Sequence, residues 1–273
     1  MSNDSYDEIL KQYVPLFDIE KKVHVKNDTG WFFDHAFEND TITISVPAFN
    51  ENRNAATLVH YLGHARLLQD GWPRFVYQAD CTEPSLLESF LKIDEAGRMN
   101  TLAYWVSRTE DSFFDFFVWR FVTASVGPEW LKRFLASVAT RETSDVVRNF
   151  RLKSTEETKD IGRMIFFLDW YAMLPVLAEM YGLKEERNRL LEQFEELSKQ
   201  DVFTQRYQTK IPETVLWVRN YYETLLKDVP NHQALLENRE TFLHAFNTYY
   251  RKVWEGTGLE ITLTWTWPEL AVR

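Results

Sequence analysis

Glycine and proline, the residues that most often end helices, are scarce in this chain. Nine of each occur in 273 residues, so few positions force a helix to stop. From residue 84 onward the hydrophobic spacing is typical of helices rather than of strands. The sequence therefore predicts a predominantly helical protein, with helices near 84–93, 99–124, 128–139, 143–150, 156–181, 184–199, 212–227 and 231–254.

Strand-like alternation is found near the two ends of the chain. Within 41–46, branched apolar residues alternate with Thr and Ser, and 22–26 alternates around two valines. The segment 31–37 is a candidate third strand, and 259–267 is strand-like near the C-terminus. Together with the helices, these patterns predict an α+β fold with a small N-terminal antiparallel or mixed sheet and a larger helical part.

The N-terminal part also contains two predicted helices. The first covers 5–13, and the second runs from about 55 to 69 and ends at a Gly-Trp-Pro sequence. The longest irregular pieces are expected at 70–83 and 198–212. Composition turns polar near 140–155, which favours subdomains at 1–145 and 146–273, although a single domain also fits.

Charge and cysteine content narrow the range of partners and compartments. The formal net charge is −10, and no stripe of clustered Lys and Arg suitable for phosphates is present, so we expect no nucleic-acid partner. The single cysteine, Cys81, excludes an internal disulfide and suits a reducing compartment. The polar start lacks a signal-peptide pattern, and the apolar runs near 113–126 are too short or too charged to span a bilayer. We therefore expect a cytoplasmic protein without membrane contact; its oligomeric state stays undetermined.

The chemistry centres on the predicted helix at 55–69. His60 and His64 are four residues apart, which places both imidazoles on one helix face, one turn apart. Two such rings can bind one divalent ion at about 2.0–2.1 Å per nitrogen. The spacing alone is a weak signal, because two core histidines satisfied by hydrogen bonds would produce the same pattern. An edge-type strand before the helix and a small residue before His64 strengthen the metal interpretation.

The segment around these histidines resembles the active-site helix of the zincin metallopeptidases of the gluzincin type, which commonly reads Thr-Leu-x-His-Glu-x-Gly-His-Ala. The resemblance covers about residues 20–125 and implies a zincin-like fold with Zn²⁺ and peptidase-like chemistry. One position departs from it, because Tyr61 stands where the family has its general-base Glu. A phenol with an ordinary pKa near 10 is a poor base at neutral pH. The matching positions are Thr57, Leu58, His60, Gly63, His64 and Ala65.

A zinc site of this type needs a third protein ligand. In gluzincins, the ligand is a Glu on a later helix, followed four residues on by an Asp that orients a ligating His. In this sequence Glu110 has the right side chain, whereas Asp111 is the residue with an acid, Asp115, four positions later. We place Glu110 slightly ahead of Asp111 as ligand and assign Asp115 to orienting a histidine. An exposed acidic face on the helix is the alternative interpretation.

Three functional hypotheses follow. The first is a metal-dependent hydrolase, a peptidase descendant, in which Tyr61 occupies the catalytic position and His232 is a weaker candidate for stabilising an oxyanion. The second is a non-catalytic zincin-like protein that binds a peptide or protein partner in the former cleft. The third is a helical protein unrelated to zincins, in which His60 and His64 are ordinary core residues.

Overall fold

The computed structural model describes residues 3–28, 34–38, 41–47, 51–91, 95–139, 156–199, 203–226 and 228–267. Within them the fold is α+β and predominantly helical, as predicted, with two small sheets. The strands are β1 (Lys22–Asp28), β2 (Asp34–Glu38), β3 (Thr41–Pro47), β4 (Arg74–Cys81) and β5 (Leu259–Thr266). The helices are α1 (Asn3–Leu16), α2 (Glu51–Gln69), α3 (Pro84–Leu91), α4 (Glu95–Val126), α5 (Glu129–Ala139), α6 (Glu156–Phe167), α7 (Leu174–Met180), α8 (Lys184–Lys199), α9 (Lys210–Tyr221), α10 (His232–Leu236) and α11 (Arg239–Trp254).

The N-terminal sheet is mixed and has the strand order β1-β3-β2. The strand before the histidine helix was predicted to be an edge strand, but β3 lies in the middle, parallel to β1 and antiparallel to β2. The alternation predicted from the sequence sets its burial, because Ile42 and Ile44 are fully buried while the Thr and Ser between them are partly exposed. This sheet packs against α2, the helix that carries the two histidines.

One predicted loop is in fact a strand. Part of the segment 70–83, expected to be irregular, forms β4, which pairs antiparallel with β5 from Arg74↔Thr266 to Cys81↔Leu259. The partner strand lies far away in sequence, so no hairpin signal marks the pairing. Polar Gln78 and Asp80 occupy the exposed face and weaken the hydrophobic pattern. The local alternation of exposed and half-buried residues is the signal that was missed.

Two predicted helices also differ from expectation. The helix expected at 231–254 is divided into α10 and α11, because Asn231 and Asn238 each cap a new start by accepting a backbone N–H three residues later. The helix expected at 156–181 is interrupted by a π-helical segment, Leu168–Met173, between α6 and α7. A second π-helical segment, Tyr222–Leu226, extends α9. The helix predicted at 143–150 lies outside the described residues.

The core draws on both halves of the chain. One cluster of buried hydrophobic residues extends from Tyr6 to Leu259 and includes the apolar faces of α2, α4, α9 and α11. The suggested boundary near 140–155 lies outside the described residues, so the two-subdomain division stays a prediction. One described helical run, Lys159–Met180, is long and apolar enough to cross a membrane, but 94% of its most apolar window is buried inside the protein.

Candidate metal centre

Helix α2 is buried over most of its described surface. Leu58, Leu62 and Ala65 are fully buried and anchor one face in the core. His60 and His64 lie on another face and are 5% and 7% exposed. Two nearly buried imidazoles need polar partners, because burying an unpaired polar group is unfavourable.

Gly63 brings the partner helix close to these imidazoles. A Cβ atom at this position would lie 2.8 Å from Val118 Cγ1 and 2.9 Å from Val122 Cγ2, both on α4. Any larger residue would therefore push α4 away from α2. The glycine before the second histidine thus permits the close helix contact on which the site depends.

The acid on α4 that reaches the imidazoles is Asp115. Its Oδ1 atom lies 3.0 Å from His60 Nε2 and 2.8 Å from His64 Nε2, and the two Nε2 atoms are 3.1 Å apart. Within the described residues, these three side chains form the group of His, Cys, Asp or Glu whose donor atoms converge closely enough to hold a metal ion. The side chain of Asp115 is 13% exposed, so the group is nearly shielded from solvent.

His60 Nε2, His64 Nε2 and Asp115 Oδ1 converge in this group, and no placement of protons on the two imidazoles gives all three atoms good hydrogen bonds. If both imidazoles carry a proton on Nε2, each donates to Asp115, but the two N–H groups then face each other across 3.1 Å. If one Nε2 lacks its proton, only one of the bonds to Asp115 remains. A cation between the three atoms would satisfy all of them at once, so the His60, His64 and Asp115 group could hold a metal ion.

The pKa values of His60 and Asp115 favour the protonation state that metal ligands need. Burial lowers the pKa of His60 below its ordinary value, against the opposing pull of Asp115. Burial by itself would raise the pKa of Asp115, but the two histidines outweigh it and hold that pKa below its ordinary value. A neutral imidazole and an ionised carboxylate are the forms that bind metals.

Aromatic side chains fix the orientation of His60. Its ring stacks on Trp119, with centroids 4.6 Å apart and planes 24° apart, and lies 6.4 Å from the ring of Phe134. The Nδ1 atom of His60 is buried and has no hydrogen-bond partner among the described residues. Most metal-binding histidines are oriented by a hydrogen bond from that second nitrogen. Here stacking on Trp119, one turn beyond Asp115 on α4, directs Nε2 toward the acid instead.

An arginine holds the neighbouring acid, Asp111, in a separate ion-pair network. Arg108 Nη1 donates to Asp111 Oδ2 at 3.1 Å, and its Nη2 donates to Asp169 Oδ2 at 2.9 Å. Asp169 lies in the π-helical segment Leu168–Met173, and a π-helical insertion in a helix is frequently found at functional sites. Burial raises the pKa of Asp169 to about 7 despite Arg108, because one guanidinium serves both carboxylates and Asp115 lies nearby.

A cleft opens beside His64. It has a volume of about 360 Å³ and is lined by apolar side chains together with Glu110, Asp111, Ser107 and Arg74. Glu110 is absent from the group that converges on the imidazoles, and burial together with the nearby charge of Asp111 raises its pKa well above the ordinary value. The remaining lining residues are Leu67, Leu68, Trp72, Pro73, Phe75 and Phe114.

Tyr61 packs against the histidines rather than lining this cleft. Its ring centroid lies 5.9 Å from that of His60 and 5.5 Å from that of His64. Among the described residues that line the cleft, His64 is present and Tyr61 is not. The residue at the position of the family's general base is therefore a half-buried neighbour of both imidazoles.

His232 lies in a different cluster. Its Nε2 atom is 2.7 Å from Asp70 Oδ2, and Asp70 also accepts hydrogen bonds from Arg66 Nε, at 3.0 Å on each oxygen. Arg66 in turn donates to Asp18. This cluster joins the end of α2 to the start of α10 and to the turn after α1. The structure gives His232 no contact with His60, His64 or Asp115.

The predicted site residues thus separate into distinct groups. His60, His64 and Asp115 come together, with Asp115 in direct contact with both rings instead of merely orienting one. Sequence reasoning missed Arg108, Asp169 and Trp119. An arginine three residues before Asp111 was a visible signal for an ion pair, but nothing in the sequence links α4 to Asp169.

Comparison with protein-family models, with curated proteins and with solved structures finds no match.

Proposed function

We propose that this protein is a zincin-like metal protein in which His60, His64 and Asp115 bind Zn²⁺. The observation that carries the proposal is the convergence of three donor atoms, one from each side chain, at 2.8–3.1 Å from one another. Two imidazoles and one carboxylate are a frequent ligand set of catalytic zinc. The resemblance of the α2 sequence to the gluzincin helix supports the same metal.

The spacing of the donors suits a transition-metal ion. Two ligands at 2.0–2.1 Å from zinc are about 2.9 Å apart at a right angle and about 3.3 Å apart at the tetrahedral angle. The observed separations of 2.8–3.1 Å are close to the first value. Outward movements of a few tenths of an ångström, on the order of ordinary side-chain adjustments, give the second. The lone-pair chemistry and the spacing therefore fit one ion.

The number of protein donors favours a catalytic rather than a structural site. Structural zinc sites usually have four protein ligands, whereas catalytic sites have three and keep one position open. A cleft that could receive a small molecule or a peptide lies against His64, one of the three proposed ligands. A bound zinc ion would polarise a carbonyl group and lower the pKa of a coordinated water to about 7. Metal-dependent hydrolysis of a peptide-like bond is the reaction that this arrangement suits best.

Because Tyr61 stands where a general-base Glu is expected, we expect any hydrolysis to be slow. Loss of a positioned general base typically reduces a rate by about 10²–10⁴-fold. Tyr61 does not line the cleft, which favours a packing role over a proton-transfer role. The same observation supports a second candidate function, a non-catalytic protein that binds a peptide or protein partner in the cleft.

Elemental analysis of the purified protein tests the metal proposal. Wild-type protein dialysed against zinc should retain about one equivalent, and His60→Ala and Asp115→Ala should lose it, because two remaining donors bind zinc weakly. His24→Ala is the matched control, since His24 lies exposed on β1. Equal zinc retention by wild type and Asp115→Ala would overturn this ligand set.

Peptide hydrolysis by the zinc-loaded wild type separates the two candidate functions. A hydrolase that lacks its general base should show slow hydrolysis of a peptide library that Asp115→Ala abolishes and Tyr61→Phe leaves unchanged. No hydrolysis of any library member by the zinc-loaded wild type would favour the binding function.

A further inference from the structure

The cleft beside His64 contains a carboxyl group, that of Glu110, which has no ion-pair partner in the described part of the chain. Glu110 lines the cleft from α4, and among the described residues its carboxyl group has no hydrogen bond or ion pair. Its acidic neighbour Asp111 does have one, with Arg108 at 3.1 Å. Of the two described acids that line the cleft, Asp111 therefore has an ion pair and Glu110 has none.

The surroundings of Glu110 make an unpaired charge unfavourable. Leu67, Leu68, Trp72, Phe75 and Phe114 supply most of the remaining cleft wall. Arg74 also lines the cleft, but the pKa of Glu110 responds to burial and to Asp111 and not to this arginine. A carboxylate in such surroundings either takes up a proton or binds a cation. Burial and Asp111 raise the pKa of Glu110 well above its ordinary value, in line with a missing cationic partner.

The shape of the cleft limits what that cation can be. A hydrated metal ion would leave the apolar wall in contact with water, whereas an organic cation with an apolar body would cover it. The volume of about 360 Å³ lies at the lower end of the range of about 300–1,000 Å³ for small-molecule pockets. His64, which also lines the cleft, places the proposed metal donors at one side of the same space.

We infer that this cleft binds a primary ammonium group carried on an apolar body. Glu110 pairs with the ammonium group, and the aromatic and leucine side chains of the wall pack against the apolar body. The α-ammonium group of a peptide whose first residue is apolar has this chemistry. The inference deepens the proposed function and rests on it only in placing the carbonyl group of such a ligand toward the metal donors. The recognition of the ammonium group depends on Glu110 and the apolar wall.

Calorimetric titration with L-leucinamide tests the inference. The comparison ligands are N-acetyl-L-leucinamide, which lacks the ammonium group, glycinamide, which lacks the apolar side chain, and isoamylamine, which lacks the carboxamide. We expect leucinamide to bind at least about tenfold more tightly than the acetylated ligand and than glycinamide, because charge-assisted hydrogen bonds and apolar burial each contribute at that level. Isoamylamine shows whether the neighbouring carbonyl group adds to the binding.

Glu110→Gln supplies the decisive variant, because glutamine keeps the size of the side chain and removes its charge. The substitution should weaken leucinamide binding by about tenfold or more and leave the acetylated ligand unaffected. Glu240→Gln, on the exposed surface of α11, is the control for net charge. Equal affinities for leucinamide and its acetylated form, unchanged leucinamide binding by Glu110→Gln, or no leucinamide binding at all would each overturn the inference.

Each sample is also titrated after treatment with a chelator, and its zinc content is measured first. Preference for the ammonium ligand in the metal-free protein would support the inference even if the zinc proposal failed. Zinc retention without any ammonium preference would leave the proposed function standing and remove this inference.

Discussion

Two histidine–aspartate clusters, each containing residues of helix α2, differ in how their charges are balanced. In the first, His60 and His64 share one oxygen of Asp115, and none of the three side chains carries a permanent positive charge. In the second, Asp70 contacts His232, and both carboxylate oxygens of Asp70 accept hydrogen bonds from Arg66. The same residue types therefore form two different groups. The His60, His64 and Asp115 group contains no arginine or lysine, whereas the Asp70 group contains its own cation, Arg66.

The pKa of each aspartate lies below its ordinary value, and the clusters differ in which groups lower it: two histidines for Asp115, and a histidine with an arginine for Asp70. Burial would raise the pKa of Asp70, but hydrogen bonds from His232 and Arg66 lower it below the ordinary value, so the cluster is balanced as it stands. Arg108, whose charge acts on His60 and Asp115, is paired with Asp111 and Asp169. A buried histidine next to an aspartate is thus a metal-site candidate only where no arginine already neutralises the acid.

The largest expected difference between the two clusters is in the stabilisation that zinc provides. At a free zinc concentration about 100-fold above the dissociation constant, binding should raise the free energy of unfolding by about 2.7 kcal/mol. Asp115→Asn should abolish this stabilisation, and His232→Gln should retain it. Thermal unfolding with and without zinc measures the effect. Identical zinc-induced shifts in wild type and Asp115→Asn would contradict the comparison.

Gly63→Ala should affect the first cluster through the backbone. The added methyl group meets Val118 and Val122 at under 3.0 Å, so α4 must move away from α2. Overpacking of this kind destabilises proteins by about 1–3 kcal/mol, although alanine regains about 1 kcal/mol as the better helix former. We expect a net loss of up to about 2 kcal/mol in urea denaturation, with weakened zinc binding. Unchanged stability together with unchanged zinc affinity would show that the close approach is unnecessary.

His232→Ala should destabilise the protein without touching the metal group. It removes one hydrogen bond from Asp70 but leaves Arg66 in place, so we expect a loss of about 1–2 kcal/mol. Urea denaturation gives the loss, and zinc titration supplies the control. A clear drop in zinc affinity would join the two clusters and contradict the separation drawn above.

Asp169→Asn should change the pH dependence of the stability of the metal-free protein. The pKa of Asp169 is raised from 3.8 to about 7 in the folded state. Between these values the folded protein holds more protons than the unfolded chain, so this group makes the free energy of unfolding fall as pH rises. The slope is at most about 1.4 kcal/mol per pH unit. The variant should flatten the pH dependence of the free energy of unfolding between about pH 4 and 7, as measured by urea denaturation at several pH values. An unchanged slope would show that Asp169 does not have a raised pKa.

Much of the fold was predictable because it follows from local periodicity. The helical spacing beyond residue 84 and the alternation around Ile42 and Ile44 are properties of short segments, and the structure confirms both patterns. Strand β4 was missed because its pairing with β5 depends on a distant segment. The division of the last long predicted helix at Asn238 was missed because capping by a single residue competes with an otherwise continuous pattern.

The sequence by itself determined that two imidazoles lie one turn apart on a helix and that several acids follow on another helix. It could not determine which acid meets the imidazoles. Successive residues of an α-helix are rotated by about 100°, so Asp111 and Asp115 share a face while Glu110 is directed elsewhere. Only the packing of α4 on α2 at Gly63, the stacking of Trp119 on His60 and the pairing of Arg108 with Asp111 leave Asp115 at the histidines.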